Sequence, residues 1–224
     1  MPITPTIPVA SAASPQDTPN PTIWLHAHQD DETLTLGPGI EQAVTEGRHV
    51  IAVLATDGRS SAARSQTGLS YETFSAARDK ELAAAYFQLG VHQAFAEGGY
   101  DGGLTMVQAQ AIVDKWVDRF PQGSFRAQSY HDSTPDHRNL GQALLNAWRA
   151  RPWLDVQFFL KRGDWGKNPA GCRYIYGGTR TRNAAREYGV VNRADLRYGI
   201  GHLSVPESFD ALMADTRTMV HGPA

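Results

Sequence analysis

The 224-residue sequence predicts an α/β fold, a mostly parallel sheet covered by helices on both faces. Three observations lead to it. From residue 22 onward, short apolar runs of strand length alternate with longer segments of helical period. The run Val50-Ile51-Ala52-Val53-Leu54-Ala55 is apolar without alternation, as expected of a strand buried on both faces. Two clusters rich in His and Asp directly follow strand-like runs, and open α/β sheets bind ligands outside the carboxyl ends of their strands.

The elements follow in order. Residues 1–21 hold six of the thirteen prolines, no Lys or Arg and few large apolar groups, which predicts a flexible arm ahead of a single domain over 22–224. Ile23 to His28 reads as the first strand, and Leu36 to Glu46 as the first helix, closed by Gly47 in a C-cap position. His49 to Thr56 is the second strand. The Ser-, Gly- and Arg-rich stretch from Asp57 to about Tyr71 is long for a strand-to-helix connection, and such loops often border active sites. A helix over Thr73 to Leu89 presents Leu82, Ala85, Tyr86 and Leu89 as its apolar stripe. A short strand near Gln93 to Ala96 then runs into the turn-rich Gly98-Gly99-Tyr100-Asp101-Gly102-Gly103.

Thr105 and Gln108 have capping-box spacing at the head of a helix reaching Phe120. Phe125 to Ser129 is a strand leading into the second polar cluster, and Leu140, Leu144, Leu145 and Trp148 mark the helix after it. Asp155 to Leu160 is a further strand. From Lys161 to Leu203 the pattern weakens, with a β-rich piece at Arg173-Tyr174-Ile175-Tyr176; Ser204 and Glu207 match a capping box for a closing helix carrying Phe209, Leu212, Met213 and Thr216.

Composition narrows the function. The formal charge of −2, without a basic stripe or a block of like charge, does not select for nucleic acid or acidic lipid; a small neutral or modestly polar substrate fits better. No apolar run has the roughly 18 residues of a membrane span. The single cysteine, Cys172, excludes an internal disulfide framework and multi-cysteine zinc sites, leaving His and carboxylate as ligands. The amino terminus lacks the basic start and apolar middle of a signal peptide, which favours the cytoplasm; secretion stays open if Val9-Ala10-Ser11-Ala12-Ala13 marks the cleavage region of a shortened leader. No Gly-x-Gly-x-x-Gly turn follows the first strand, so a dinucleotide site is not expected.

The chemistry concentrates in His28-Gln29-Asp30-Asp31-Glu32 and in Thr134-Pro135-Asp136-His137. Across a strand-to-helix turn, His28 and Asp31 can face one ion while Asp30 points to its side, and His137 closes the set. Two imidazoles and one carboxylate leave Zn²⁺ an open position, where the pKa of a bound water falls to about 7 and yields a hydroxide nucleophile. Asp30, beside the ion without ligating it, is placed to act as general base. Ferrous iron suits the same set. Beside this stands a plainer reading, in which Asp30 and Asp136 cap helices and Asp31 and Glu32 favour a helix N-terminus.

His28-Gln29-Asp30-Asp31-Glu32, extended by Ala27, resembles the Ala-His-Pro-Asp-Asp-Glu signature of the PIG-L or LmbE-like family of zinc-dependent N-acetylglucosaminyl de-N-acetylases. Thr134-Pro135-Asp136-His137 resembles its His-Pro-Asp-His motif, and Thr56-Asp57-Gly58, the segment with Arg78, Glu81, Leu89 and Gly90, and Asp101-Gly102-Gly103-Leu104 resemble further family positions. The resemblance covers residues 22 to 150. It implies a Rossmann-like domain; zinc on His28, Asp31 and His137; Asp30 as base; Asp57, Arg78 and Asp101 as substrate contacts; and removal of an N-acetyl or other N-acyl group from an amino-sugar conjugate. Gln29 replaces the motif's Pro, and Thr134 replaces its first His, a residue implied to stabilise the oxyanion or protonate the leaving amine. His131 is the expected substitute for that His, with Asp30 carrying the proton to the amine as an alternative and His202 a more distant candidate. The alternatives are an amidase of a sugar-thiol conjugate and a non-catalytic metal- and sugar-binding module, which the loss of His at Thr134 keeps open.

Overall fold

A computed structural model describes residues 20–224. The arm expected over 1–21 therefore lies almost wholly outside the described residues; at its end, the Pro21 carbonyl already accepts the Ser124 N–H at 3.0 Å. The described chain forms a seven-stranded sheet in the order β3-β2-β1-β4-β5-β9-β6. Strands β1 (Thr22–His26), β2 (Val50–Thr56), β3 (Gln93–Gly99), β4 (Ser124–Gln128) and β5 (Asp155–Leu160) are parallel, and β9 (Arg217–His221) runs antiparallel to both β5 and β6 (Arg173–Tyr176). A two-stranded hairpin of β7 (Val191–Asn192) and β8 (Arg197–Tyr198) stands apart from it.

Strand alternation divides the core into two layers. Trp24, Ala52, Leu54 and Phe159 face α2 (Gly37–Thr45), α4 (Tyr71–Leu89), α7 (Thr179–Glu187) and α9 (Pro206–Ala214), meeting Ile40, Leu82, Leu89, Ala184 and Phe209. Ile23, Leu25, Val53, Phe125 and Phe158 face α5 (Met106–Arg119) and α6 (Pro135–Ala150), meeting Val113, Trp116, Leu140 and Leu144. From β1 the chain winds outward to β3 through helices on one face, then returns to β4 and β5 through helices on the other. The carboxyl ends of β1 and β4 flank the point where the winding reverses, and there a crevice opens.

Local chemistry accounts for the helix ends. Thr105 and Gln108 form the full capping box of α5, and Ser70 accepts the Thr73 N–H at 3.2 Å to start α4. Gly141 lets α6 lie against the end of β4, since a Cβ there would stand 2.4 Å from the Gln128 carbonyl oxygen. Four expectations are corrected. β1 ends at His26 because the His28 N–H turns away to Asp31 Oδ2 at 2.8 Å, and a short α1 (Asp31–Leu34) precedes α2. β3 continues through Gly98 and Gly99, whose carbonyl accepts the Asp57 N–H at 2.8 Å. The Ser204 box does not form: Val205 occupies the N-cap of α9, and Ser204, the last residue of α8 (Ile200–Ser204), bonds Ser61 Oγ at 2.9 Å. The closing helix stops at Ala214, and the residues after it make β9, an interior strand. No described helix is long and apolar enough to cross a membrane.

Candidate active site

The loop after β1 and the first turn of α6 meet at the crevice. His28 Nδ1 lies 3.1 Å from His137 Nε2 and 3.3 Å from Asp31 Oδ2, and His137 Nε2 is 3.2 Å from the same carboxylate oxygen. Donors held about 2.0–2.1 Å from a tetrahedral ion stand about 3.3 Å from one another, so these three atoms have the spacing of one face of such a site. The donor set fits a divalent ion, and two imidazole nitrogens converging on one carboxylate oxygen otherwise need a shared proton.

Each member is held from behind. His28 Nε2 faces Asp101 Oδ1 and Asp136 Oδ2, both at 3.2 Å, which directs its other nitrogen to the triad. Asp136 in turn accepts the Gly102 N–H at 2.8 Å and the Leu104 N–H at 3.1 Å, so its carboxylate ties α6 to the turn after β3 instead of capping its own helix. His137 Nδ1 lies 3.2 Å from Oδ2 of the buried Asp132. His26 Nδ1 donates to the His28 carbonyl at 2.8 Å, and its Nε2 accepts from the Tyr86 hydroxyl at 2.5 Å. Burial pushes His26 down to about 4, so it is neutral and fixes the backbone at the strand exit.

Asp30 occupies the N-cap position of α1 with φ 115°, a conformation that costs a non-glycine residue about 1–3 kcal/mol, and its side chain makes no capping bond. The strain aims the carboxylate into the crevice. Arg78 holds Asp30 Oδ2 at 3.2 Å while also donating to the Gln29 and Gly58 carbonyls, and Glu32 Oε2 accepts the Asp30 N–H at 3.0 Å. Burial raises Asp30 to about 7 against the pull of Arg78. Burial likewise raises Glu32 to about 8, though Thr33 and the Tyr188 hydroxyl hydrogen-bond to it. Within the triad, burial works against charge everywhere, yet His137 and His28 hold Asp31 well below the ordinary carboxylate range, and Asp31 and Asp132 lift His137 to about 9. Such mutual charge is what a cation would replace.

The crevice opens into a cavity of about 620 Å³. His28, Asp30, Asp31 and His137 line it, as do Arg78 and Asp101 from the expected substrate contacts. Asp57 does not line it: its carboxylate pairs with Arg59 at 2.5 Å and accepts the Asp101 N–H at 3.4 Å, bracing the loop. His131 does not line it either. That residue is exposed, with its ring 4.4 Å from Tyr130 and 5.5 Å from His221. His202 stacks on Phe209, 4.7 Å between centroids, also outside the lining. Lys161 stands beside Thr134, and Arg162 and Gly163 also line the cavity.

Sequence reasoning passed over Asp132, Glu32, His26 and Lys161 as functional groups. Only Asp132, five residues before His137, carried a signal, since a carboxylate near a candidate ligand His is the usual orienting partner.

A profile of the family described as GlcNAc-PI de-N-acetylase (PIG-L) matches residues 23–148, more than half of the chain, and includes His28, Asp30, Asp31 and His137. The chain belongs to the PIG-L family. No curated protein sequence gives a significant match. Among solved structures, a deacetylase of the teicoplanin biosynthetic pathway aligns over 90% of this chain and 98% of its own with TM-score 0.65 and 18% identity. N,N′-diacetylchitobiose deacetylase from Pyrococcus horikoshii covers 66% of this chain and 61% of its own, with TM-score 0.54 and 21% identity. The 4-carboxy-2-hydroxymuconate hydratase GalB from Pseudomonas putida shares the fold at TM-score 0.61 and 13% identity over 87% and 88%. At these identities the PIG-L likeness to solved structures shows the fold, and the reaction must be argued from the residues.

Proposed function

We propose that this protein is a metal-dependent de-N-acylase that removes an acetyl or related acyl group from an amino-sugar conjugate. The observation that carries the reading is the placement of a strained, buried Asp30 beside the His28, Asp31 and His137 donor face, within one cavity. Membership of a de-N-acetylase family supports it, as do deacetylases among the structural neighbours.

His28, Asp31 and His137 would hold the ion, zinc by the family's habit and ferrous iron by ligand type. When bound, the ion lowers the pKa of water and polarises a carbonyl. Asp30 takes the proton from the attacking water and delivers it to the nitrogen as the amide C–N bond breaks, a role that suits a carboxylate lining the cavity beside the donor face without joining it. Arg78 fixes Asp30 in place, and Asp101 has one oxygen on His28 while its other accepts the Ser60 N–H at 2.9 Å, leaving the pair to orient both the ligand and the substrate loop.

The test is acetate release from a panel of N-acetylglucosamine conjugates, with metal content measured on the same sample before and after chelation. Turnover that chelation abolishes and added Zn²⁺ restores is the expected result. A protein with one ion per chain that releases acetate from no conjugate would instead favour the binding module that Thr134 keeps in view, and a protein that never takes up an ion would overturn the reading.

A further inference from the structure

We propose that Lys161 is the catalytic residue that stabilises the oxyanion where the PIG-L motif has lost its first histidine, an inference that rests on the de-N-acylase reading. Thr134 offers only a neutral hydroxyl at that position. Its Oγ1 accepts a hydrogen bond from Lys161 Nζ at 2.5 Å, so the ammonium stands directly beside the side chain that replaced the imidazole. Both residues line the cavity together with Asp30 and His137.

Topology explains how a residue 27 positions away reaches the gap. β5 is the next parallel strand after β4, with Gln128 opposite Phe159. The two strands end level, and the chain leaving β5 at Lys161 emerges beside the Asp132-to-Thr134 loop that leaves β4. Lys161 Nζ is also 3.2 Å from Oδ1 of Asp132, whose Oδ2 lies 3.2 Å from His137 Nδ1. One carboxylate thus positions both the ligand imidazole and the ammonium. Asp164 Oδ2, at 3.7 Å, is beyond hydrogen-bond length. An ammonium has three N–H donors; one goes to Thr134 and Asp132 pairs with the charge, which leaves donor capacity for a ligand in the cavity that Lys161 lines. The side chain is 29% exposed, enough to meet a ligand from a fixed position.

In the reaction, the water oxygen forms a bond to the acyl carbon as Asp30 takes a proton, and the carbonyl π pair moves onto oxygen. Lys161 donates a hydrogen bond to that oxyanion without giving up its proton. The pair then re-forms the carbonyl, the C–N bond breaks, and Asp30 returns its proton to nitrogen. The acid product loses its own proton to solvent. Removing one oxyanion donor costs about 10²–10³ in kcat.

Lys161→Met, Lys161→Arg and Lys161→Met/Thr134→His, each loaded with Zn²⁺, provide the test. We expect kcat on the best N-acetylglucosamine conjugate to fall about 10²–10³-fold in Lys161→Met with KM changed only a few-fold, and to recover in part when Thr134→His restores an imidazole donor. Metal content and melting temperature stay at their unsubstituted values. Acetate, the product anion, titrated calorimetrically into the zinc-loaded protein, binds at least tenfold more weakly to Lys161→Met than to Lys161→Arg. An unchanged kcat, or a loss of rate that tracks loss of zinc or of melting temperature in every variant, overturns the proposal in favour of a structural Lys161–Asp132 pair. Where the unsubstituted protein hydrolyses no conjugate, the de-N-acylase reading fails by itself, and the acetate affinities still decide whether Lys161 serves an anion in this cavity.

Discussion

The cavity has two walls built by different means. Residues from 22 to 150 supply most of the reactive wall, in which the groups are fixed by polar contacts: His28 by Asp101 and Asp136, His137 by Asp132, Asp30 by Arg78 and Glu32. Residues beyond 161 supply the facing surfaces with Arg162, Gly163, Val205, Ser208, Ala211 and Leu212, mostly small or apolar side chains on α9, its N-cap and a 3-10 turn after β5. Multiple fixation at strand ends holds atoms to the tolerance that metal and proton transfer require. A wall of apolar contacts tolerates substitution as long as its volume is kept. The family profile stops at residue 148, where the first kind of construction gives way to the second.

Breaking the reactive wall gives the largest effects, and the triad separates from Asp30. His137→Ala is expected to lose the ion and reduce acetate release to background, because two donors do not retain a catalytic metal against dialysis. Asp30→Asn should keep one ion per chain and lose about 10²–10⁴ in rate, the range of general-base catalysis. Metal analysis and turnover on the same preparations check both. Loss of the ion from Asp30→Asn would place Asp30 among the ligands, against the geometry in which Arg78 and the strained backbone point it elsewhere.

One step back, Asp132→Asn probes whether orientation is as important as ligation. Asp132 touches His137 Nδ1 and Lys161 Nζ but none of the triad's converging atoms. Metal affinity is expected to fall about 10- to 100-fold, the usual cost of losing an orienting carboxylate. A competition titration with a chelator measures it, and an unaltered affinity would reduce Asp132 to a loop-bracing role.

These groups differ in how visible they were. The strand exits could be read because apolar runs end abruptly at His28 and near Ser129, and short-range spacing of His and Asp survives in the fold. Asp132, Glu32 and His26 were missed since their roles depend on burial and on partners far away in sequence, such as Tyr188 for Glu32 and Tyr86 for His26. β9 was missed for another reason: Arg217-Thr218-Met219-Val220-His221 is five residues directly after a helix with no turn signal, and its burial comes from sitting between β5 and β6. His131 was attractive by sequence proximity, whereas a loop between Ser129 and Thr134 turns its ring toward Tyr130 and His221.

The recognition wall should respond in a different parameter. Ala211 faces the cavity from α9, and Ala211→Phe adds a ring to that space. We expect KM to rise for bulky conjugates and to change least for the smallest, with metal content unaltered and kcat on the smallest conjugate within a few-fold of the unsubstituted value. Equal effects on every conjugate would show that α9 supports the reactive groups, and the distinction between the walls would not hold.

The smallest effect concerns how the second wall is attached to the first. Glu41, on α2, caps α7 from outside that helix: Oε2 accepts the Gly178 N–H at 2.6 Å, the Thr181 N–H at 3.0 Å and the Thr181 hydroxyl at 2.7 Å, and Oε1 accepts the Arg180 N–H at 3.1 Å. Burial raises the Glu41 pKa, but these donors outweigh it and bring the pKa below its ordinary value of 4.5. A carboxylate with a depressed folded-state pKa stabilises above the unfolded pKa, and that contribution is lost as pH falls through the folded value. Glu41→Gln should therefore cost about 0.5–2 kcal/mol at neutral pH, the range for losing a helix cap, and toward the lower end because the side chain is partly exposed. Denaturation of both proteins in urea across pH 7 to 3 measures it: the gap should begin to narrow near pH 4.5, the ordinary value, and close as pH falls through the lower folded-state pKa, where Glu41 is protonated and resembles the amide. A gap constant with pH would mean that shape and not charge joins α2 to α7.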